Sequence, residues 1–372
     1  SMGMRASILL LALGACRPSP APATEPAPAA VSASVASSAT PAPSSTGPAI
    51  RSFFVTPSDS GVQPVLDAIA SARKSIRMEM FHLTLPDVEA ALEAAAARGV
   101  DVRVILDGKS LESHSSAALA QRLTDHGVAV TASSPAFSIT HVKAMVVDGA
   151  RALVMSLNLT RPYDRTRDYA VETDDRGVVD ELLRVFDTDV DNAARSTKNT
   201  PPLASEALVW SPVDAEARLV RLVDSAQKSI VATTENLGDK PMLQAFARAA
   251  ARGVHVRVLV PLCDEGGEPL RNVKFVAELD RKNVDARMMP APASRDQPYM
   301  HAKMLIVDGA RTFVGSINLS ENSMRRAREL GIVFDDRSAT SAFSSTFESD
   351  WRLAIPPPGE HEATSDLCRS KP

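Results

Sequence analysis

The sequence predicts an α/β protein made of two pseudo-symmetric α/β/α lobes with one active site at their interface, and three observations carry that reading. First, His141-Val-Lys143-Ala-Met-Val-Val-Asp148 returns as His301-Ala-Lys303-Met-Leu-Ile-Val-Asp308, and each copy is followed by Ser-x-Asn, at Ser156 to Asn158 and Ser316 to Asn318. Second, the likeness reaches upstream: Ser71-Ala-Arg-Lys-Ser-Ile76 matches Ser225-Ala-Gln-Lys-Ser-Ile230, and the run from Ala97 to Leu106 matches that from Ala251 to Val260. Third, each half reads as helix, strand, helix, strand and then a hairpin, the alternation of a layered α/β unit. Duplicated lobes that each contribute one copy of a polar set are expected to bring the two copies together.

Taken in chain order, the first segment is an address. Arg5, the apolar run Ile8 to Leu13 and then Gly14-Ala15-Cys16 resemble a bacterial lipoprotein signal peptide over residues 1–16, with Cys16 as the lipidated residue. The alternatives are an ordinary secretory signal cleaved nearby and a weak membrane-inserting start. Residues 17–50 are almost wholly Pro, Ala, Ser and Thr, a disordered tether with nothing to bury. Lobe one is expected over residues 51–196. Its helix from Asp87 to Arg98 opens after Pro86 and stops at Gly99, and its twin stops at Gly253. Val100 to Leu106 and Val254 to Val260 alternate as strands do. Ile139 to Val147 and Met304 to Val307 read as the first strands of two hairpins. These turn at Asp148-Gly149 and Asp308-Gly309 and return along Ala152 to Ser156 and Thr312 to Ser316. Linker chemistry between Ala194 and Ser205 separates lobe two, at residues 205–355, and Pro356-Pro-Pro-Gly opens a polar tail over 356–372, expected to be disordered.

Strand parity sorts the motif residues. Side chains two apart on a strand share a face, so His141 and Lys143 point together, while Asp148 and Asp308 have the other parity and serve to pin the hairpins. The returning strands bring Ser156 with Asn158, and Ser316 with Asn318, toward the same end. An imidazole is a nucleophile and proton carrier near neutral pH, and ammonium and carboxamide groups are donors for anionic oxygens. Two of each around one point describe a phosphate clamp, in which one imidazole attacks phosphorus and the other handles the proton of the leaving and entering oxygens. No metal or cofactor is called for, and no Cys/His metal spacing is present.

These motifs resemble the signature of the phospholipase D superfamily, His-x-Lys-x4-Asp followed by Gly-Ser-x-Asn. The second copy matches in full at Gly315 to Asn318, and the first has Met155 in place of the glycine. The resemblance implies that the acids beyond each Asn, Asp168 and Glu329, orient catalytic histidines, and that His141 is the nucleophile and His301 the acid and base. It implies a phosphodiesterase that forms a phosphohistidine. The substrate class stays open between phospholipid, by hydrolysis or by transfer to an alcohol, and nucleic acid in an exported nuclease. A non-catalytic lipid- or polyanion-binding protein is a third reading, disfavoured by the intact His, Lys and Asn in both lobes.

Charge bears on that choice. With 41 basic and 45 acidic residues and 4% aromatics, the chain has no global nucleic-acid footprint. Arg161, Arg165 and Arg167, with Arg325, Arg326 and Arg328, follow the motifs and could rim the cleft, or else pair with Asp164, Asp168, Glu321 and Glu329. A lipid-anchored enzyme in the bacterial cell envelope, at the outer membrane or in the periplasm, meets phospholipid at high local concentration, which favours lipid. With both motifs in one chain a monomer is expected, and no obligate protein partner. His82 reads as structural, Asp107 as a turn cap, and Cys263 and Cys368 as either a disulfide or two thiols.

Overall fold

The computed structural model describes residues 47–264, 272–359 and 365–368. The signal segment with Cys16, and the tether up to residue 46, lie outside the described residues.

Lobe one contains β1 (Ile50–Thr56), α1 (Gln63–Ser71), β2 (Ser75–Met80), α2 (Pro86–Ala97), β3 (Asp101–Leu106), α3 (His114–Asp125), β4 (Ala129–Ala132), β5 (Lys143–Val147), β6 (Arg151–Met155), β7 (Thr166–Thr173) and α4 (Arg176–Arg195). Lobe two repeats the plan: β8 (Leu208–Ser211), α5 (Ala215–Asp224), β9 (Ser229–Thr233), α6 (Lys240–Ala251), β10 (His255–Pro261), α7 (Asn272–Asp280), β11 (Asp285–Met289), β12 (Tyr299–Met300), β13 (Lys303–Val307), β14 (Arg311–Gly315), α8 (Glu321–Arg325), β15 (Glu329–Phe334) and α9 (Arg337–Leu353).

The sheet orders are β1-β7-β6-β5-β2-β3-β4 and β8-β15-β14-β13-β9-β10-β11, the same arrangement with one pairing partner at each edge. β2, β3 and β4 run parallel, as do β9, β10 and β11, so helices must cross over between them. The hairpins β5/β6 and β13/β14 join antiparallel to β2 and β9. Outer helices bury Val65, Ile69, Val88 and Leu92 on one face of the first sheet. The inner faces do not form separate cores. Val146, Val154 and Val171 of lobe one share a single apolar cluster with Met304, Ile306 and Val314 of lobe two, closed by Val185 of α4 and Phe343 and Phe347 of α9.

Each turn between hairpin strands follows from its Asp-Gly pair. Asp148 and Gly149 have φ of 56° and 61°, and Asp308 and Gly309 have 53° and 65°, the two left-handed central residues of a primed turn. The Asp148 carboxylate then accepts bonds from the amides of Arg73, Lys74 and Ser75, and Asp308 does the same with Gln227, Lys228 and Ser229. The upstream repeat Ser-Ala-x-Lys-Ser-Ile is thus the loop that each motif Asp grips.

Two features differ from the sequence reading, the start of the first motif strand and the placement of Cys368. The strand expected from Ile139 starts only at Lys143, because the amide of His141 donates to the Arg328 carbonyl and the amide of Arg328 to the Ile139 carbonyl, across the lobes. The segment before His301 does likewise, since β12 pairs with β7 of lobe one. Between the lobes, residues 197–207 carry no helix or strand, but Glu181 fixes them by accepting from the amides of Ala204 and Ser205. Within the expected tail, Cys368 is buried and disulfide-bonded to Cys263, with Cα atoms 5.7 Å apart, which resolves the open choice in favour of the bond.

Candidate active site

Both motif histidines are buried, and each is held by the other lobe. Nδ1 of His141 lies 2.8 Å from Glu329 Oε2 and 3.2 Å from the Ser316 carbonyl. Nδ1 of His301 lies 2.8 Å from Asp168 Oδ1. With Nδ1 so committed, Nε2 is the nitrogen left on each ring to meet a substrate. Ser156 steadies one acid by donating to Asp168 Oδ1 at 2.6 Å while it accepts from the Tyr169 amide. Ser316 occupies the matching place, and its hydroxyl accepts from the Leu330 amide at 3.2 Å.

The lysines rise beside their histidines. Lys143 and Lys303 are each 1% exposed, and each ammonium donates to the carbonyl of its own motif histidine. Asn318 accepts at Oδ1 from the Asn236 amide at 3.0 Å and the Thr234 hydroxyl at 3.2 Å, which leaves its NH2 as the group available to a ligand. Asn158 Oδ1 is buried without a protein partner. In lobe two, the glycine of the signature is required by space: a Cβ on Gly315 would stand 2.4 Å from the Gly331 Cα on the neighbouring strand. In lobe one Met155 faces Ala170 instead, and both fit within the core.

Electrostatics bind the two halves into one site and make them unequal. Burial pushes His141 well below the ordinary imidazole value, with Lys143, Lys303 and His301 adding to it. Burial, then Lys303, brings Lys143 down to about 7. Burial lifts Glu329 to about 7 against the pull of its hydrogen bonds and the lysines. For Asp168 burial also acts upward, but His301 and Lys303 together hold the carboxyl below its usual range. Burial thus pushes both His141 and Glu329 toward their uncharged forms, whereas the surroundings of Asp168 favour its ionised form.

The arginines require a correction. Arg167 and Arg328 do not rim the cleft; both are buried, each in a two-pronged ion pair with the other lobe. Arg167 grips Asp350 of α9 at 2.7 and 2.9 Å, and Arg328 grips Asp189 of α4 at 2.8 and 2.9 Å. Each arginine sits in a cross-lobe backbone contact, Arg167 opposite Met300 and Arg328 opposite Thr140, and reaches a helix of the partner lobe, so these cations brace the interface. Arg325 pairs with Glu216 at the surface, while Arg161, Arg165 and Arg326 are exposed. Asp107 caps its turn through Ser110 and also accepts from the Thr140 amide at 2.7 Å. His82 Nδ1 lies 3.2 Å from the Ser110 hydroxyl. Among the described residues, no three His, Cys, Asp or Glu side chains are grouped to hold a metal ion.

Two neighbours of the site carry no motif. Glu235 places Oε2 3.3 Å from Lys303 Nζ and 3.7 Å from His301 Nε2, and Tyr299 donates to its Oε1 at 2.9 Å. Phe81 stands on the opposite side, its ring centroid 4.6 Å from that of His141 and 5.0 Å from Lys143 Nζ. The only signal for Glu235 was an acid two residues past a buried strand, at the place where the first repeat has Phe81.

Two half-sites of imidazole, ammonium and carboxamide, with acids exchanged between lobes, define a two-lobe protein of the phospholipase D superfamily. The chain belongs to the family described as cardiolipin synthase, PLD-like domain, whose model matches residues 65–190 and 219–351. It is 28% identical over 311 residues to cardiolipin synthase B of Salmonella typhi, covering 74% of each chain. It is 23% identical over 321 residues to a minor cardiolipin synthase of Bacillus subtilis, covering 78% of this chain and 79% of that one. Among solved structures, phosphatidylserine synthase of Haemophilus influenzae aligns with a TM-score of 0.63 at 13% identity, over 84% of this chain and 89% of that one. That last likeness is one of fold.

Proposed function

We propose that the protein cleaves the phosphodiester of a phospholipid head group through a phosphohistidine on His141 and passes the phosphatidyl group to water or to an alcohol. The observation that carries this reading is the pairing of two complete His-Lys-Asn sets, exchanged between lobes, in a chain similar along both lobes to proteins named as cardiolipin synthases.

The roles follow from the inequality of the two pairs. A neutral His141, its Nδ1–H directed to Glu329, has a free Nε2 lone pair for attack on phosphorus. His301 beside an ionised Asp168 is suited to carry a proton, which it gives to the leaving head-group oxygen as the P–O bond breaks. In the second step an acceptor hydroxyl loses its proton to His301 Nε2 while its oxygen bonds phosphorus, and the P–N bond to His141 breaks. Lys143, Lys303, Asn158 and Asn318 hold the non-bridging oxygens, whose negative charge grows in the transition state.

Anchoring through Cys16 would place this site at an envelope membrane; among the described residues no helix is long and apolar enough to cross one. A nuclease is the second reading, and the exposed Arg161, Arg165 and Arg326 are what it would use. The test sets phosphatidylglycerol, phosphatidylethanolamine and phosphatidylcholine vesicles against single-stranded and duplex DNA, with ethanol present. Phosphatidylethanol is the expected product. Cut oligonucleotide without any lipid product would reject the lipid assignment and leave the two-histidine chemistry standing.

A further inference from the structure

The two half-sites also differ at a matched position outside the motifs. Leu83 bridges to Leu159 in lobe one as Leu237 bridges to Leu319 in lobe two, so Phe81 and Glu235, each two residues before its leucine, occupy equivalent places. Beside His141 that place presents an aromatic ring edge. Beside His301 it presents a carboxylate, 18% exposed, with Oε1 on the Tyr299 hydroxyl and Oε2 between Lys303 and His301.

A carboxylate inside a phosphate clamp repels the substrate's own charge, so its presence needs a compensating contact. Burial would raise its pKa, but Lys303, His301 and the Tyr299 hydroxyl bring it down to about 2, and it stays an acceptor throughout the neutral range. His301 Nε2 is the atom that gives its proton to the leaving alcohol and takes the proton of the entering one. A carboxylate held at about 2 is a weak base for the reacting proton, but 3.7 Å from that nitrogen it can accept from a second donor on the same alcohol.

We propose that Glu235, oriented by Tyr299, is the specificity-determining residue of the alcohol subsite, binding a second hydrogen-bond donor beside the reacting hydroxyl. This rests on the phosphohistidine reading above but not on the lipid. The reaction balances as ordinary transfer: the acceptor oxygen bonds phosphorus, its proton goes to His301 Nε2, and the electron pair of the broken P–N bond returns to His141.

The test uses the full chain and bis-p-nitrophenyl phosphate as donor, with ethanol and glycerol at equal concentration, and measures the ratio of glyceryl to ethyl nitrophenyl phosphate. A charge-assisted hydrogen bond of this kind gives a preference for glycerol of roughly tenfold or more. Glu235→Leu should lower the ratio to about that of the hydroxyl counts, and Tyr299→Phe should move it the same way, which serves if the leucine variant does not fold. A wild-type ratio without glycerol preference, or one unchanged in both variants, overturns the proposal. Faster nitrophenol release in Glu235→Leu at an unchanged ratio would make the carboxylate an inhibitory counter-ion, which also overturns it. Failure of the lipid assignment appears separately, as no phosphatidyl product from vesicles.

Discussion

Asp168 of the first lobe accepts a hydrogen bond from His301 of the second at 2.8 Å, and the reciprocal pair, Glu329 with His141, has the same length. Neither half therefore holds a working histidine alone. The acid fixes the ring and its tautomer, as second-shell carboxylates do elsewhere.

Asp168→Asn is accordingly expected to lower kcat by roughly 10²- to 10⁴-fold with little change in melting temperature, since the amide keeps the shape but favours the wrong tautomer. Initial rates on a soluble phosphodiester, beside a thermal melt, check this. A variant that melts much lower while keeping its rate would mean that the pair is merely structural.

The motif aspartates should behave in the opposite way. Asp148→Ala removes the acceptor for three backbone amides and is expected to cost roughly 1–3 kcal/mol of stability, with a small effect on the rate of the folded protein. Burial raises the Asp148 carboxyl, but its bonds from Lys74, Ser75 and Arg73 hold it below the usual range. Its contribution is thus present above the ordinary carboxylate value and lost as pH falls through the lower, folded one. Denaturant melts of wild type and variant should converge in acid. A gap that widened in acid would contradict the sign.

Much of this was legible in the chain. The two hairpins, the Asp-Gly turns and the helices ending at Gly99 and Gly253 are local, and period and turn chemistry write them directly. What crosses between lobes was not legible. Spacing placed Asp168 and Glu329 after their motifs but did not say that each serves the other lobe's histidine. The same exchange made Arg167 and Arg328, read as rim cations or as partners of nearby acids, into buried braces whose partners Asp350 and Asp189 lie more than a hundred residues away. The third crossovers, α3 with β4 and α7 with β11, went unassigned because their apolar runs are short and weakly periodic.

The braces lead to a stability prediction. Arg328 is fully buried between the Phe137 and Trp210 rings, and Arg328→Ala leaves Asp189 as an unpaired buried charge, a loss of about 3–5 kcal/mol. Arg328→Lys should recover little of it, because an ammonium cannot reproduce the two-pronged contact. Chemical denaturation of both variants checks this, and full recovery by lysine would contradict it.

Glu329 gives the converse case. Its folded pKa, raised by burial from 4.5 to about 7, means that its contribution is fully present below 4.5 and lost as pH rises to about 7. Glu329→Gln, which does not ionise, should therefore gain in relative thermal stability between pH 4.5 and pH 8 while it loses activity. A stability difference that is flat across that range would show that the carboxyl is not held neutral in the folded protein.

The central claim is that a phosphatidyl group is carried on His141, and the most direct measurement is to quench the enzyme in base during turnover of phospholipid labelled at phosphorus and look for label on protein. Wild type should carry base-stable, acid-labile label and His141→Ala should carry none, while His301→Ala, which lacks the proton carrier of both steps, should form lipid product only very slowly. Label retained in His141→Ala, or lipid product formed with no labelled protein in any variant, would contradict the account.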